Sequence, residues 1–115
     1  MNEKTIDRQH QLVLAVADEM ARMEQNLLRM PDDTIGHKQL VRSLQRMKTH
    51  LMTAGYEMVD MLGKPYMDGM KGLAHFQYDE ALPEGQMLVT AVNRPQVNYE
   101  GEMIQVADIT VSQNI

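Results

Sequence analysis

The chain of 115 residues contains no cysteine, no tryptophan and a single phenylalanine. Without cysteine it can form no disulfide, no thiolate nucleophile and no cysteine-based metal site, and this absence is typical of a reducing compartment. No stretch approaches the roughly 18 consecutive apolar residues that a membrane-spanning helix requires. The N-terminal region also lacks the apolar segment of a secretory signal. The sequence therefore predicts a cytoplasmic protein with no membrane partner.

Positive charge is scarce as well, and the net charge is −5. Residues 1–62 carry nine acidic and eight basic side chains, whereas residues 63–115 carry seven acidic and only three basic ones. Binding to a phosphate backbone needs a basic surface. We therefore expect no nucleic-acid partner, least of all for the second half of the chain.

The constellations that usually carry enzyme chemistry are also missing from the sequence. Its four histidines show no metal-ligand spacing: His10, His37, His50 and His75. The glycine-rich signature of a phosphate-binding loop does not occur. Asp79 and Glu80 could be imagined as an acid/base pair, but neighbouring residues at a strand end point in opposite directions, and we interpret them as a solvated turn. The sequence predicts a protein that is not an enzyme and that has no catalytic residue, metal or cofactor.

The first half of the chain has the apolar periodicity of a long helix. From Lys4 to Met30 neither proline nor glycine interrupts it, and Pro31 is expected to end it. Two sets of residues recur every seven positions, as in a heptad repeat: Ile6, Val13, Met20 and Leu27, and then Gln9, Val16, Met23 and Met30. Further apolar side chains widen this stripe, which indicates a helix that is contacted on more than one side.

A second helix is predicted after a turn at residues 32–34, with Asp33 or Thr34 as its N-cap. Its apolar seam follows a 4-3-4-3-4 spacing through Leu40, Leu44, Met47, Leu51, Ala54 and Met58. Gly55 lies inside this pattern, so it either ends the helix or allows another backbone to approach closely.

Neither helix can bury its seam against one short neighbour, so we expect a homodimer in which two helical hairpins form a four-helix bundle. The predicted dimerisation residues are Val13, Val16, Met20, Met23, Leu27, Leu40, Leu44, Met47 and Leu51. The twelve methionines suit such adaptable helix contacts. The alternative interpretation of the methionines is a peptide-binding groove.

The second half of the chain has the pattern of a small β structure. Strands are predicted over Leu73–Tyr78, Gln86–Val92 and Met103–Val111, with turns at Pro83–Gly85 and Asn98–Gly101. We expect a compact sheet or a small open barrel. The predicted fold class is therefore α+β, with residues 1–62 as a helical dimerisation stalk and bundle and residues 63–115 as a small partner-binding β domain.

The order of several short motifs resembles the GrpE family, which are nucleotide exchange factors for DnaK-type chaperone ATPases. The motifs follow the heptad helix and the shorter second helix, and together they span nearly the whole chain: Ala54-Gly55-Tyr56-Glu57, Gly63-Lys64-Pro65-Tyr66, Asp79-Glu80, Leu82-Pro83-Glu84-Gly85 and Ile109-Thr110-Val111-Ser112. The resemblance implies a parallel dimer whose β domain wedges against a lobe of the ATPase. It also implies that this contact opens the nucleotide cleft so that ADP leaves, as expected of a co-chaperone in protein folding and the stress response.

The resemblance also implies a partner-binding surface on the β domain, made of Arg94, Pro95, Gln96, Val97, Glu102, Ile104, Gln105 and Val111. Arg94-Pro95-Gln96-Val97 is similar to a family segment in which Lys-Pro or Arg-Pro is commonly followed by Gly-Tyr. After Gly101 the family often has arginine, and another arginine three positions further on, where this chain has Glu102 and Gln105. These departures predict a divergent DnaK-type partner with a matching change of charge. The alternative is a dimeric scaffold or adaptor that kept the fold without exchange activity.

Overall fold

Two helices open the fold, which a computed structural model describes for residues 2–67 and 69–115. Helix α1 spans Glu3–Arg29, and the side-chain oxygen of Asn2 caps it by accepting the Thr5 N–H at 2.9 Å. Met30 is already extended, with ψ at 145°, as expected of a residue before proline. The predicted long helix is thus confirmed. Within the described ranges, neither helix is both long and apolar enough to cross a membrane.

Helix α2 is shorter than predicted at both ends, spanning His37–Thr53. Its N-cap is Gly36, not Asp33 or Thr34, because the turn after Pro31 runs further than its polar residues suggested. At the other end Gly55 has a φ of +94°, a left-handed conformation that terminates helices and that glycine adopts without a steric cost. The prediction that the helical seam reaches Met58 is therefore wrong.

Within residues 2–67 and 69–115, six strands form two three-stranded sheets where one sheet or barrel was expected. The strands are β1 (Tyr56–Met58), β2 (Leu73–Tyr78), β3 (Met87–Arg94), β4 (Val97–Tyr99), β5 (Glu102–Gln105) and β6 (Asp108–Gln113). The hairpin sheet has the order β1-β4-β5 and is antiparallel throughout. The mixed sheet has the order β2-β6-β3, with β2 parallel and β3 antiparallel to the central β6. The α+β class is confirmed.

The single strand predicted over Met103–Val111 is two strands that belong to different sheets. The chain crosses between the sheets at Val106 and Ala107. Ala107 is fully buried, and its carbonyl accepts the Leu73 N–H at 2.8 Å. The prediction failed because β-branched residues on both sides of the crossing continue the same apolar pattern.

In the part of the chain that the structure describes, three buried clusters hold these elements together. One lies under the mixed sheet around Val89, Ile109 and Val111. A second joins α1 to the hairpin sheet through Ala17, Tyr56 and Val97, and a third joins α1 to α2 through Met20, Leu27 and Leu44. Strand β1 lies within residues 1–62 and pairs with β4 from residues 63–115. The two predicted parts of the chain therefore share a sheet and a core.

Candidate partner-binding site

The side chain of Gln25, near the C-terminal end of α1, binds the outer edge of β3. Its amide nitrogen donates to the Val92 carbonyl at 2.7 Å, and its amide oxygen accepts the Val92 N–H at 3.0 Å. The Gln25 side-chain amide thus makes the same pair of hydrogen bonds to β3 that a residue of a neighbouring strand would make. The β3–β6 register shifts on both sides of this point. The contact fixes α1 to the mixed sheet.

A second connection joins α1 to the hairpin sheet through Asp18. One carboxylate oxygen accepts from the Gln105 amide at 3.0 Å, and the other lies 3.6 Å from the Arg94 Nε. The same Gln105 amide nitrogen donates to the Pro95 carbonyl at 2.8 Å. Asp18 is largely buried whereas more than half of the Arg94 side chain is exposed. One carboxylate therefore holds both the end of β3 and the end of β5.

A third connection lies near the start of α1, where the buried Tyr56 hydroxyl accepts from the Gln9 amide at 3.0 Å. His10 Nδ1 lies 2.6 Å from the same hydroxyl. The Tyr56 and Tyr99 rings pack with their centroids 4.7 Å apart. The neighbouring Glu100 carboxylate, and then partial desolvation, raise the pKa of Tyr99 above its usual value. The β4–β5 turn is thereby anchored to the N-terminal half of α1.

Between these connections lies an open cleft of about 520 Å³. Its polar lining comes from α1, β3, β5 and β6: Asp18, Arg22, Asn93, Arg94, Gln105 and Asp108. Leu73, Ile104 and Val106 add apolar surface. A second cleft of about 390 Å³ continues along α1 past Arg22 and Asn26 to Arg29, with Asn93 on its opposite wall. We call these two adjoining clefts the arginine groove.

The arginine groove combines three arginines with two carboxylates, Asp18 and Asp108. Arg22, Arg29 and Arg94 line it, and Arg22 also pairs with Glu19. Guanidinium groups bind carboxylates with paired, charge-assisted hydrogen bonds. The part of the chain that the structure describes holds no cluster of three or more potential metal ligands. Because Arg22 pairs with Glu19 and Arg94 with Asp18, an acidic partner in the groove would have to compete with these two carboxylates.

The predicted partner-binding residues are separated by the fold. Arg94, Ile104 and Gln105 meet in the arginine groove. Glu102 is exposed beside the β4–β5 turn and does not line the groove. Pro95 is buried at the turn after β3, and the amide of the half-buried Gln96 donates to the Asn98 side chain at 3.1 Å.

Val97 and Val111 have no exposed surface at all. Val97 packs against Ala17 and Tyr56, and Val111 lies in the central strand of the mixed sheet. Neither side chain can touch a partner unless the core opens, which corrects the expectation for both positions. Alternation along a strand shows which residues share a face, but it does not show which face another element covers.

Sequence reasoning missed Arg22, Arg29 and Asn93 as candidates. Arg22, Asn26 and Arg29 follow each other at i, i+4 and i+7, which places them on one helical face. That spacing could have indicated a polar binding face on α1. Asn93 carries no comparable signal, because its position in the groove depends on how the mixed sheet packs against α1.

The predicted dimerisation residues divide into three groups. Met20, Leu27 and Leu44 are buried inside the single chain, and Val13 and Leu51 are half-buried there. The exposed members are Val16, Met23, Leu40 and Met47. With the exposed Leu12 they form what we call the apolar stripe, at positions i, i+4 and i+11 on α1 and at i and i+7 on α2. The buried residues Met20, Leu27 and Leu44 therefore stabilise the single chain and are not available to a second copy.

Comparisons with models of known protein families and with curated proteins each found no match to this chain.

Proposed function

We propose that the protein is a GrpE-like co-chaperone of the cytoplasm, which binds a DnaK-type ATPase and promotes the release of ADP by opening its nucleotide cleft. The observation that carries the proposal is the attachment of the β strands to α1 at three places. Gln25 holds β3, Asp18 holds the ends of β3 and β5, and the Gln9–His10 pair holds Tyr56.

Firm attachment of the β strands to α1 matters because a nucleotide exchange factor must bind the open and the closed ATPase with different free energies. A protein that binds the open ATPase more tightly than the closed one lowers the ADP affinity by the same coupling factor. If the β strands could pivot freely on α1, they would follow the closing lobe and bind both states equally. A wedge that cannot pivot keeps the difference, and no catalytic group is required.

The arginine groove supplies the contact in this proposal. An acidic segment of the ATPase would bind Arg22, Arg29 and Arg94 along α1 and the end of β3. Residues of α1 and of both sheets line the groove, so a partner bound there would contact all of these elements at once.

A homodimer formed through the apolar stripe completes the proposal. Val16, Met23, Leu40 and Met47 remain partly exposed in the single chain. Burying them contributes about 25 cal/mol per Å² of apolar surface. Packing two copies of the helical hairpin along this stripe would make a four-helix bundle with twofold symmetry.

The decisive experiment measures the release of a fluorescent ADP analogue from a purified DnaK-type ATPase. We expect the protein to accelerate release in a saturable manner. Arg22→Ala and Arg94→Ala should weaken the effect, whereas Arg46→Ala should not, because Arg46 is exposed on α2 and does not line the groove. An unchanged release rate at saturating protein would refute the exchange activity.

One observation favours the alternative of an adaptor without exchange activity. The amide nitrogen of Gln105 is engaged by Asp18 and by the Pro95 carbonyl. It is therefore not free to replace the family's arginine in contacting the ATPase. Binding to the ATPase without faster ADP release would support the adaptor.

A further inference from the structure

The rest of the chain covers one edge of the mixed sheet and leaves the other edge open. The outer edge of β3 is covered: Gln25 binds Val92, the Val89 N–H donates to the Lys64 carbonyl at 2.9 Å, and the Tyr66 N–H donates to the Met87 carbonyl at 3.0 Å. Strand β2 forms the opposite edge, and within residues 2–67 and 69–115 only β6 pairs with it. The mixed sheet thus has one closed edge and one open edge.

The hydrogen bonds of β2 show which backbone groups face outward. The Leu73 N–H donates to the Ala107 carbonyl at 2.8 Å, and the Asp79 N–H donates to the Gln113 carbonyl at 2.9 Å. In a parallel pair the residues that bond to the neighbour alternate along the strand. Residues 73, 75, 77 and 79 therefore face β6, and the N–H and C=O groups of Ala74, Phe76 and Tyr78 point away from the sheet.

Natural proteins usually protect such an edge with a lysine, a proline, a bulge or a very short strand. Strand β2 is six residues long, contains neither lysine nor proline, and pairs with β6 without a register shift. The side chains of Phe76 and Tyr78 are 50% and 65% exposed. The Phe76 ring meets Tyr66 edge-on, with centroids 5.5 Å apart. The open edge therefore carries an apolar face beside its free backbone groups.

Charge differs between the two ends of the strand. Lys71 lies shortly before β2, and Asp79 and Glu80 follow it directly. An added strand that runs antiparallel to β2 would place its N-terminal end beside the two acids and its C-terminal end beside Lys71. This arrangement selects a segment with positive charge at its N-terminal end.

We propose that β2 binds an extended segment of a partner polypeptide as an additional antiparallel strand. The segment would have apolar residues at alternate positions, facing Phe76 and Tyr78, and basic residues before them. Backbone hydrogen bonds would supply affinity and the alternate side chains specificity, as in other cases of strand addition. This inference does not rest on the proposed exchange activity.

A second copy of this chain is the competing occupant. A strand of six residues is roughly 20 Å long and presents a face about 10 Å deep. The resulting area of roughly 200 Å² per copy is about a quarter of what a standard interface buries on each side. This area is too small to hold two folded copies together, whereas one added strand is sufficient for domains that bind peptides.

The test uses the full chain and a synthetic peptide of sequence KKVTVTVTV that carries a fluorophore at its C-terminus. Its valines would face Phe76 and Tyr78, so the valine N–H groups would point at β2. Fluorescence anisotropy should show binding. N-methylation of the valines should weaken it at least about tenfold, whereas N-methylation of the threonines should leave it unchanged. Replacing the two lysines by glutamates should also weaken it.

Tyr78→Pro supplies the matching change in the protein. It removes an outward N–H and no bond to β6, so circular dichroism and the melting temperature should change little. Peptide binding should fall as with the N-methylated valines, while Tyr78→Val should bind normally. Equal binding of the two N-methylated peptides would overturn the proposal whatever the variants do. Self-association that is abolished by Tyr78→Pro would also overturn it, in favour of a second copy.

Discussion

Replacing Gln25 by alanine tests whether α1 and the mixed sheet form one rigid unit. The substitution removes both hydrogen bonds between Gln25 and Val92. The backbone N–H and C=O of Val92, which is largely buried, then lose these partners. A hydrogen bond contributes about 1 kcal/mol net, and a buried group left unsatisfied costs about 1–3 kcal/mol. The change therefore affects the junction far more than the helix itself.

The expected loss of unfolding free energy is about 2 kcal/mol. Two bonds at about 1 kcal/mol each give this value. The open cleft that Gln25 and Val92 both line lets water reach Val92, which limits the additional penalty. Alanine also favours helix formation by a few tenths of a kcal/mol relative to glutamine. The melting temperature should fall by about 8 °C.

Urea unfolding at a fixed protein concentration measures this loss, and hydrogen exchange of the Val92 amide locates it. Gln11→Ala is the matched control, because Gln11 is exposed on the same helix. The reasoning is refuted if Gln25→Ala and Gln11→Ala differ by less than about 0.5 kcal/mol and the exchange rate of Val92 is unchanged.

Three further predictions concern the apolar stripe, the end of α2 at Gly55 and the contact between Glu100 and Tyr99. Met47→Asp should weaken the proposed dimer at least about a hundredfold, because a charge would be buried in the bundle. Sedimentation should show this while Met52→Asp, on another face of α2, stays dimeric; equal effects would contradict the stripe. Gly55→Ala should lower the free energy of unfolding by about 1–2 kcal/mol, because φ is +94° and a Cβ would lie 3.3 Å from the Tyr99 ring. An unchanged melting temperature would contradict this prediction. Glu100→Gln should lower the raised pKa of Tyr99, seen as earlier phenolate absorbance in an alkaline titration. Because the folded pKa is raised, the stability that Tyr99 contributes is present below pH ~10 and is lost as the pH rises through the folded value; an identical titration would remove Glu100 as the cause.

The sequence predicted an element correctly where its local pattern fits only one kind of secondary structure. The heptad repeat and Pro31 determined α1 to within one residue at each end. The alternation of residues 73–78 predicted β2 with the bounds that the structure has. Local signals failed where two elements continue the same pattern. Met58 fits the helical spacing of α2 but pairs with Val97 in the hairpin sheet.

The candidate site was predicted only in part. Arg94, Ile104 and Gln105 were named from the resemblance and do meet in one cleft. The burial of Val97 and Val111 depends on which face of each sheet packs on α1 or on loops, and no local pattern contains that information. Asp18 was missed for the same reason, because its partners lie 76 and 87 positions away along the chain.

The pairing of β1 with β4 has a consequence for how the chain folds during synthesis. Tyr56 leaves the ribosome well before Tyr99, which lies opposite it in the hairpin sheet and packs against its ring. Until then the helices expose a tyrosine whose ring and strand partners do not yet exist. Contacts between residues this distant in sequence form slowly. The hairpin sheet is therefore expected to be completed only late in synthesis, after β4 and β5 have emerged.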